Sequence, residues 1–201
     1  TEPMEALAAP VAKPNMGIPK HAGRRMSKAE FLKWSSDDAF VYEFNDGILE
    51  PTLSMKPEEI PLVNRLMRLF LTTIAFQNGG TLMPEADCWL TGKQMRRPDA
   101  SFYSGEQLVA LARGEQPIPA FVVELISEFD ENYKTETKLQ EYFDAGVAVV
   151  WLILPPMRRV YVYTSPKTVL IATDDDRISA APVLQDYELK VNELFADVTV
   201  A

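Results

Sequence analysis

The spacing of hydrophobic positions changes along the chain, and each change predicts an element. Residues 1–25 carry no apolar period, are rich in Ala and Pro, and end in Lys20, His21, Arg24 and Arg25. This is the composition of a flexible tail, available as an arm toward nucleic acid or a partner subunit. Order is expected from Ser27, where Ser27-Lys28-Ala29-Glu30 has capping-box spacing ahead of Phe31, Leu32 and Trp34 and predicts a short helix. Residues 40–44 and 48–53 flank Asn45-Asp46-Gly47, residue types that accept the positive φ of a tight hairpin turn. The period then lengthens. Ile60, Val63, Met67, Phe70, Leu71 and Ile74 recur at helical spacing between Pro57 and Asn78-Gly79-Gly80, which predicts one long helix over 57–77.

Short strands are expected at 86–90 and 100–103, with a small helix at 106–112. The run 121–126 reads Phe-Val-Val-Glu-Leu-Ile, apolar at every position but Glu124, as in a central strand covered on both faces. A helix over 133–145 carries Leu139, Tyr142 and Phe143 and is stopped by Gly146. A buried strand at 149–154, a turn through Pro155 to Arg159, and strands at 160–163, 168–172 and 178–183 complete the pattern. These elements predict an α/β fold: one domain over 26–201 with a mixed central β-sheet flanked by helices, behind the tail at 1–25.

A chain of 201 residues, 47% hydrophobic and 24% charged, is a globular domain able to bury about 70% of the surface its unfolded form exposes. The single cysteine, Cys88, and single histidine, His21, exclude a disulfide framework and a zinc centre built from Cys and His. No run approaches the roughly 20 apolar residues that span a bilayer, and the N-terminus lacks signal-peptide order, so a cytoplasmic location is the default. The net charge of −9 has the wrong sign for a protein that simply coats nucleic acid or an anionic membrane. It still permits a local basic cleft, and it omits any bound cation. Much of the acid lies in runs read as solvated, at 128–131 and at Asp174, Asp175 and Asp176. Three consecutive side chains cannot converge on one ion from an extended chain.

The candidate chemistry lies elsewhere. Arg96-Arg97-Pro98-Asp99 leads into one strand and Glu124 sits inside the next long one. A carboxylate within an apolar run is costly unless it is paired, metal-bound or at the mouth of a cleft. Two carboxylates from neighbouring strands suffice for Mg²⁺, which keeps several waters and completes its shell with substrate phosphate. Lys138, on the following helix, is the candidate cation beside the attacking water, with Lys134 one turn earlier on the same face. The residues alone leave other readings open. Asp99 could serve turn chemistry, the two lysines a solvated face paired with Glu131 or Glu141, and Tyr142 and Trp151 the core. Asp99 and Glu124 could also form a metal-free acid/base pair acting on a sugar or another neutral substrate.

Several segments, in this order, resemble the Uma-type restriction-endonuclease family, a branch of the PD-(D/E)xK nuclease superfamily. They are Arg97-Pro98-Asp99, Val123-Glu124-Leu125-Ile126-Ser127, Lys138-Leu139-x-x-Tyr142, Ala145-Gly146-Val147, Trp151-Leu152-Ile153 and Pro155. The hairpin with Tyr42-Glu43-Phe44-x-Asp46-Gly47-x-Leu49-Glu50, the long helix, and the closing run from Asp186-Tyr187-Glu188-Leu189 to Leu194-Phe195 fit the same family. The resemblance implies a restriction-endonuclease-like core. It implies Asp99, Glu124 and the Leu125 carbonyl as ligands of Mg²⁺ or Mn²⁺, and Lys138 as the catalytic lysine. The superfamily pattern places a lysine two residues after the glutamate, where this chain has Ile126, so Lys138 stands in for it from the next helix. The family also tends to carry a histidine near the start of its long helix, where this chain reads Glu58-Glu59-Ile60; Glu59 is a candidate additional ligand. The expectation is a metal-dependent endonuclease acting on DNA, working as a homodimer without membrane association. The alternative is a nuclease fold retained as a non-catalytic binding or assembly module.

Overall fold

The computed structural model describes residues 17–127 and 132–196. Ser27 caps α1 (Lys28–Phe31) through the expected capping box with Glu30. The first hairpin, β1 (Val41–Asn45) and β2 (Ile48–Thr52), turns through Asp46 and Gly47, both at positive φ. Next come α2 (Ile60–Phe70), α3 (Ile74–Gln77), β3 (Thr81–Pro84), β4 (Cys88–Thr91), β5 (Gln94–Arg96), β6 (Ala100–Tyr103) and α4 (Gly105–Ala112). The chain continues with β7 (Phe121–Leu125), α5 (Asn132–Ala145), β8 (Val149–Leu154), β9 (Arg159–Ser165), β10 (Thr168–Thr173), β11 (Arg177–Ala180), β12 (Leu184–Lys190) and α6 (Val191–Leu194).

The central sheet runs β10-β9-β8-β7-β6-β3 and is mixed: β7 and β8 are parallel, and every other neighbouring pair is antiparallel. Strand alternation sorts β7 onto its two faces. Phe121, Val123 and Leu125 join Trp151 and Ile153 of β8, Leu66 and Phe70 of α2, and Tyr187 of β12 in one core. Val122 points the other way, with Val150 and Leu152, against Leu139 and Tyr142 of α5. Both faces are covered, so the run reads as continuously apolar, and Glu124 falls on the face that meets α5. A second sheet, β2-β1-β5-β4, is wholly antiparallel and packs a smaller core around Tyr42, Phe44, Leu49 and Met95.

Three expectations need correction. The helix expected over 57–77 is two helices. Thr73 adopts extended backbone and its hydroxyl accepts from the Phe76 N–H, while Asp186 on β12 accepts from the Ile74 N–H at 2.7 Å. A side-chain cap and a partner distant in sequence thus override an unbroken apolar period. Strands β3, β5 and β12 were not anticipated, and the strand expected at 178–183 ends at Ala180. Of the tail expected over 1–25, residues 1–16 lie outside the described residues, and the described end is docked. Lys20 N–H donates to Asp38 at 2.9 Å, the His21 ring meets Asp37 at 2.6 Å, and Gly23 N–H donates to the Leu49 carbonyl at 2.9 Å. The acidic run at 128–131 also lies outside the described residues.

Candidate active site

The antiparallel register of β6 and β7 pairs Ala100 with Val123, so Asp99, one residue before β6, comes opposite Glu124. Asp99 Oδ2 accepts the Leu125 N–H at 2.6 Å, fixing its carboxyl against β7. Burial and then the charge of Glu124 push Asp99 well above the usual carboxylate range. The charge of Glu124 therefore makes ionisation of Asp99 harder, and a cation between the two carboxylates would relieve that cost.

Helix α5 supplies the groups above Glu124. Lys138 and Tyr142 are four residues apart and so share a face. Tyr142 is fully buried and its hydroxyl donates a short hydrogen bond to Glu124 Oε1. Burial and the charges of Glu124 and Glu43 keep that phenol protonated, well above its usual range. Lys138 Nζ stands 3.9 Å from Glu124 Oε1 and donates to Glu43 Oε1 at 2.9 Å. Burial opposes the charged ammonium, but the fields of Glu124 and Glu43 outweigh it and hold Lys138 above the ordinary lysine range. Lys138 is therefore a fixed cation at neutral pH and no proton acceptor.

Beneath Lys138 lies a buried guanidinium. Arg96, at the end of β5, donates to Glu43 Oε2 at 3.0 Å and to both Glu141 oxygens at 2.7 and 3.0 Å, and makes a short contact to Glu50. Burial alone would lower its affinity for a proton; Glu141, Glu43 and Glu50 more than reverse that. Glu43 is shared by Arg96, Lys138 and the Arg97 N–H, which donates at 2.9 Å. Glu43, Glu50, Arg96, Arg97 and Lys138 border a cavity of about 540 Å³ that also takes in Glu59, Lys56, Lys134 and Tyr133, and Glu141 supports it from outside that lining. Glu59 Oε2 accepts the Lys56 N–H at 2.8 Å, and its charge adds to the upward push on Asp99.

The oxygen donors suit a hard divalent ion: two carboxylates on paired strands, one desolvated and repelled by the other, on the wall of an open cavity. Among the described residues no group of three or more His, Cys, Asp and Glu is arranged to hold a metal.

A family model described as "Putative restriction endonuclease" matches residues 29–192. The chain belongs to the Uma2 family. A crystal structure described as a "putative nuclease belonging to DUF820" from Anabaena variabilis is similar at a TM-score of 0.70 and 18% identity. The match covers 84% of this chain and 96% of that one, and the shared fold is the restriction-endonuclease-like core. Among curated proteins none matches.

In this Uma2 chain the structure brings Asp99, Glu124, Leu125, Lys138 and Tyr142 to one place and sets Glu59 and Lys134 on the same cavity. Sequence reasoning assigned no role to Glu43, Arg96 or Glu141 in the cleft. The sign that singled out Glu124, an acid inside an apolar run, is equally present in Val41-Tyr42-Glu43-Phe44, where Glu43 is buried.

Proposed function

We propose that this cleft is the active site of a Mg²⁺- or Mn²⁺-dependent endonuclease that hydrolyses phosphodiester bonds of DNA. The observation that carries the reading is the placement of Lys138 Nζ 3.9 Å from Glu124, on a strand whose Leu125 N–H holds Asp99. In this reading Asp99, Glu124 and the Leu125 carbonyl would hold the ion. Held there, the ion would supply a water of lowered pKa and positive charge against the phosphate. Tyr142 fixes the Glu124 carboxylate by its hydrogen bond. Glu43, itself held by Arg96, fixes Lys138, whose permanent charge orients the attacking water and stabilises the pentavalent transition state. Lys56, Arg97 and Lys134 line the same cavity and supply cations for the flanking phosphates. Against a net charge of −9, DNA binding is confined to this cleft and weakens steeply with salt.

A homodimer, presenting two clefts to the two strands of a duplex, and a cytoplasmic location belong to the same reading. Among the described residues no helix is long and apolar enough to cross a membrane. Plasmid nicking tests the function. Purified protein should convert supercoiled to open-circular DNA with Mg²⁺ or Mn²⁺, stop with EDTA, and lose activity on Glu124→Ala. Absence of metal-dependent nicking, or nicking that Glu124→Ala leaves unchanged, contradicts it and favours the non-catalytic module.

A further inference from the structure

The edges of the two larger sheets are not equally protected. An edge strand presents unpaired N–H and C=O groups, and folded proteins blunt such edges with short strands, Pro, bulges or charge. Strand β3, at one end of the central sheet, has four residues and ends in Pro84. In the second sheet β2 contains Pro51 and is bridged by Arg25, while β4 has four residues and an irregular register. Strand β10, the other edge of the central sheet, has one register irregularity at its first step, between Thr168 and Val169, and from Val169 to Thr173 has none of these defences. It runs six residues, Thr-Val-Leu-Ile-Ala-Thr, without a charge or a proline, and among the described residues it pairs with β9 alone. Val169, Leu170 and Ile171 are 42%, 54% and 53% exposed, consecutive apolar residues that belong to no described core.

The charges at its ends indicate the occupant. Lys167 precedes β10, and Asp174, Asp175 and Asp176 follow it. Within the subunit Asp175 lies 3.6 Å from Lys190 and Asp176 accepts the Thr173 N–H, which leaves the Asp174 carboxylate the one most directly presented to an outside charge. If two copies of the strand pair antiparallel about a two-fold axis, the start of one lies against the end of the other. Lys167 then meets the partner's aspartates twice, once on each side of the axis. A parallel pairing would set aspartates against aspartates. The strand is thus self-complementary in charge in the one orientation that closes a dimer.

We propose that β10 is the homodimer interface of this protein: two copies pair edge to edge, antiparallel, about an axis near Leu170 and Ile171, joining their central sheets. The proposal deepens the dimer of the endonuclease reading but needs none of its chemistry. Mass is measured without DNA, so a failed dimer and a failed cleavage are separate results.

Light scattering of the full chain tests it. Wild type should have twice its 22.6 kDa mass, and Leu170→Lys should be monomeric, with an unchanged far-ultraviolet spectrum because Leu170 packs little in the subunit. With Leu170 opposite the partner's Ile171, Lys167 lies opposite Asp174, so Lys167→Glu and Asp174→Lys should each weaken dimerisation at least about tenfold. An equimolar mixture of these two variants should recover the dimer, since each then meets its complement. A monomeric wild type overturns the proposal. So does a dimer that Leu170→Lys and both charge reversals leave intact.

Discussion

Lys138 on α5 donates to Glu43 on β1 at 2.9 Å. The link joins the helix that covers one face of the central sheet to the hairpin of the second sheet, so the geometry of the cleft depends on how the two sheets are held together. Arg96 reinforces it by binding Glu43 from β5 and Glu141 from α5.

Removing the guanidinium should therefore unsettle the fold. Arg96 and Glu43 are almost fully buried, and Glu141 is mostly so. Arg96→Met leaves Glu141 without its guanidinium and Glu43 with Lys138 as its remaining cation, and breaking a buried pair from one side costs about 3–5 kcal/mol. Urea denaturation should show a loss of this size with an unchanged m-value. A loss near that of a surface pair, about 1 kcal/mol or less, would mean that the acids are satisfied some other way.

Lys138 should matter to turnover more than to folding. Loss of one preorganised group that stabilises a transition state costs about 10²–10³ in rate, so Lys138→Ala should lower the kcat of DNA cleavage by about that much with a smaller change in KM. Lys138→Arg, which keeps the charge, should retain part of the activity. Equal rates for wild type and Lys138→Ala would remove Lys138 from the mechanism.

The docked end of the N-terminal segment gives a pH prediction. Partial desolvation raises the Asp38 carboxyl, but hydrogen bonds from Ser36, Tyr42, the Lys20 N–H and the Phe40 N–H outweigh it and hold the group well below the usual carboxylate range. A carboxyl depressed in the folded state adds stability above its unfolded pKa near 3.8 and loses it as pH falls through the lower folded value. Asp38→Asn should therefore lower thermal stability at neutral pH and flatten its fall below about pH 4. A variant with the same acid limb as wild type would show that these hydrogen bonds do not persist in solution.

Much of this architecture could be read in the sequence. The capping box at Ser27, the Asp46-Gly47 turn and the apolar run around Glu124 are local signals, and the elements they imply are present. The break at Thr73 was not legible, because it depends on Asp186, 112 residues away from Ile74. Strand β5 has only three residues and is defined by its pairing with β1 and β4. The support beneath the cleft was hidden for the same reason: Arg96 meets Glu43 and Glu141 across 53 and 45 residues of chain. A buried charge announces that it has a partner, but sequence does not say which one.

Cys88 reports on the integrity of the core beside the cleft. Burial pushes its thiol up to about 11, and Tyr103 lies 3.1 Å away. Because the thiolate is the reactive form, the folded protein should react with a disulfide reagent at pH 8 far more slowly than the urea-unfolded chain. Equal rates would indicate that the packing around β4 and β6 opens readily.

Under the proposed function Asp99 and Glu124 share one divalent ion beside Lys138. Anomalous diffraction from crystals soaked in Mn²⁺ measures this directly. A manganese peak is expected between the two carboxylates, absent from an Asp99→Asn crystal soaked in the same way. No peak in the wild-type cleft, or a peak bound elsewhere and unaffected by Asp99→Asn, would contradict it.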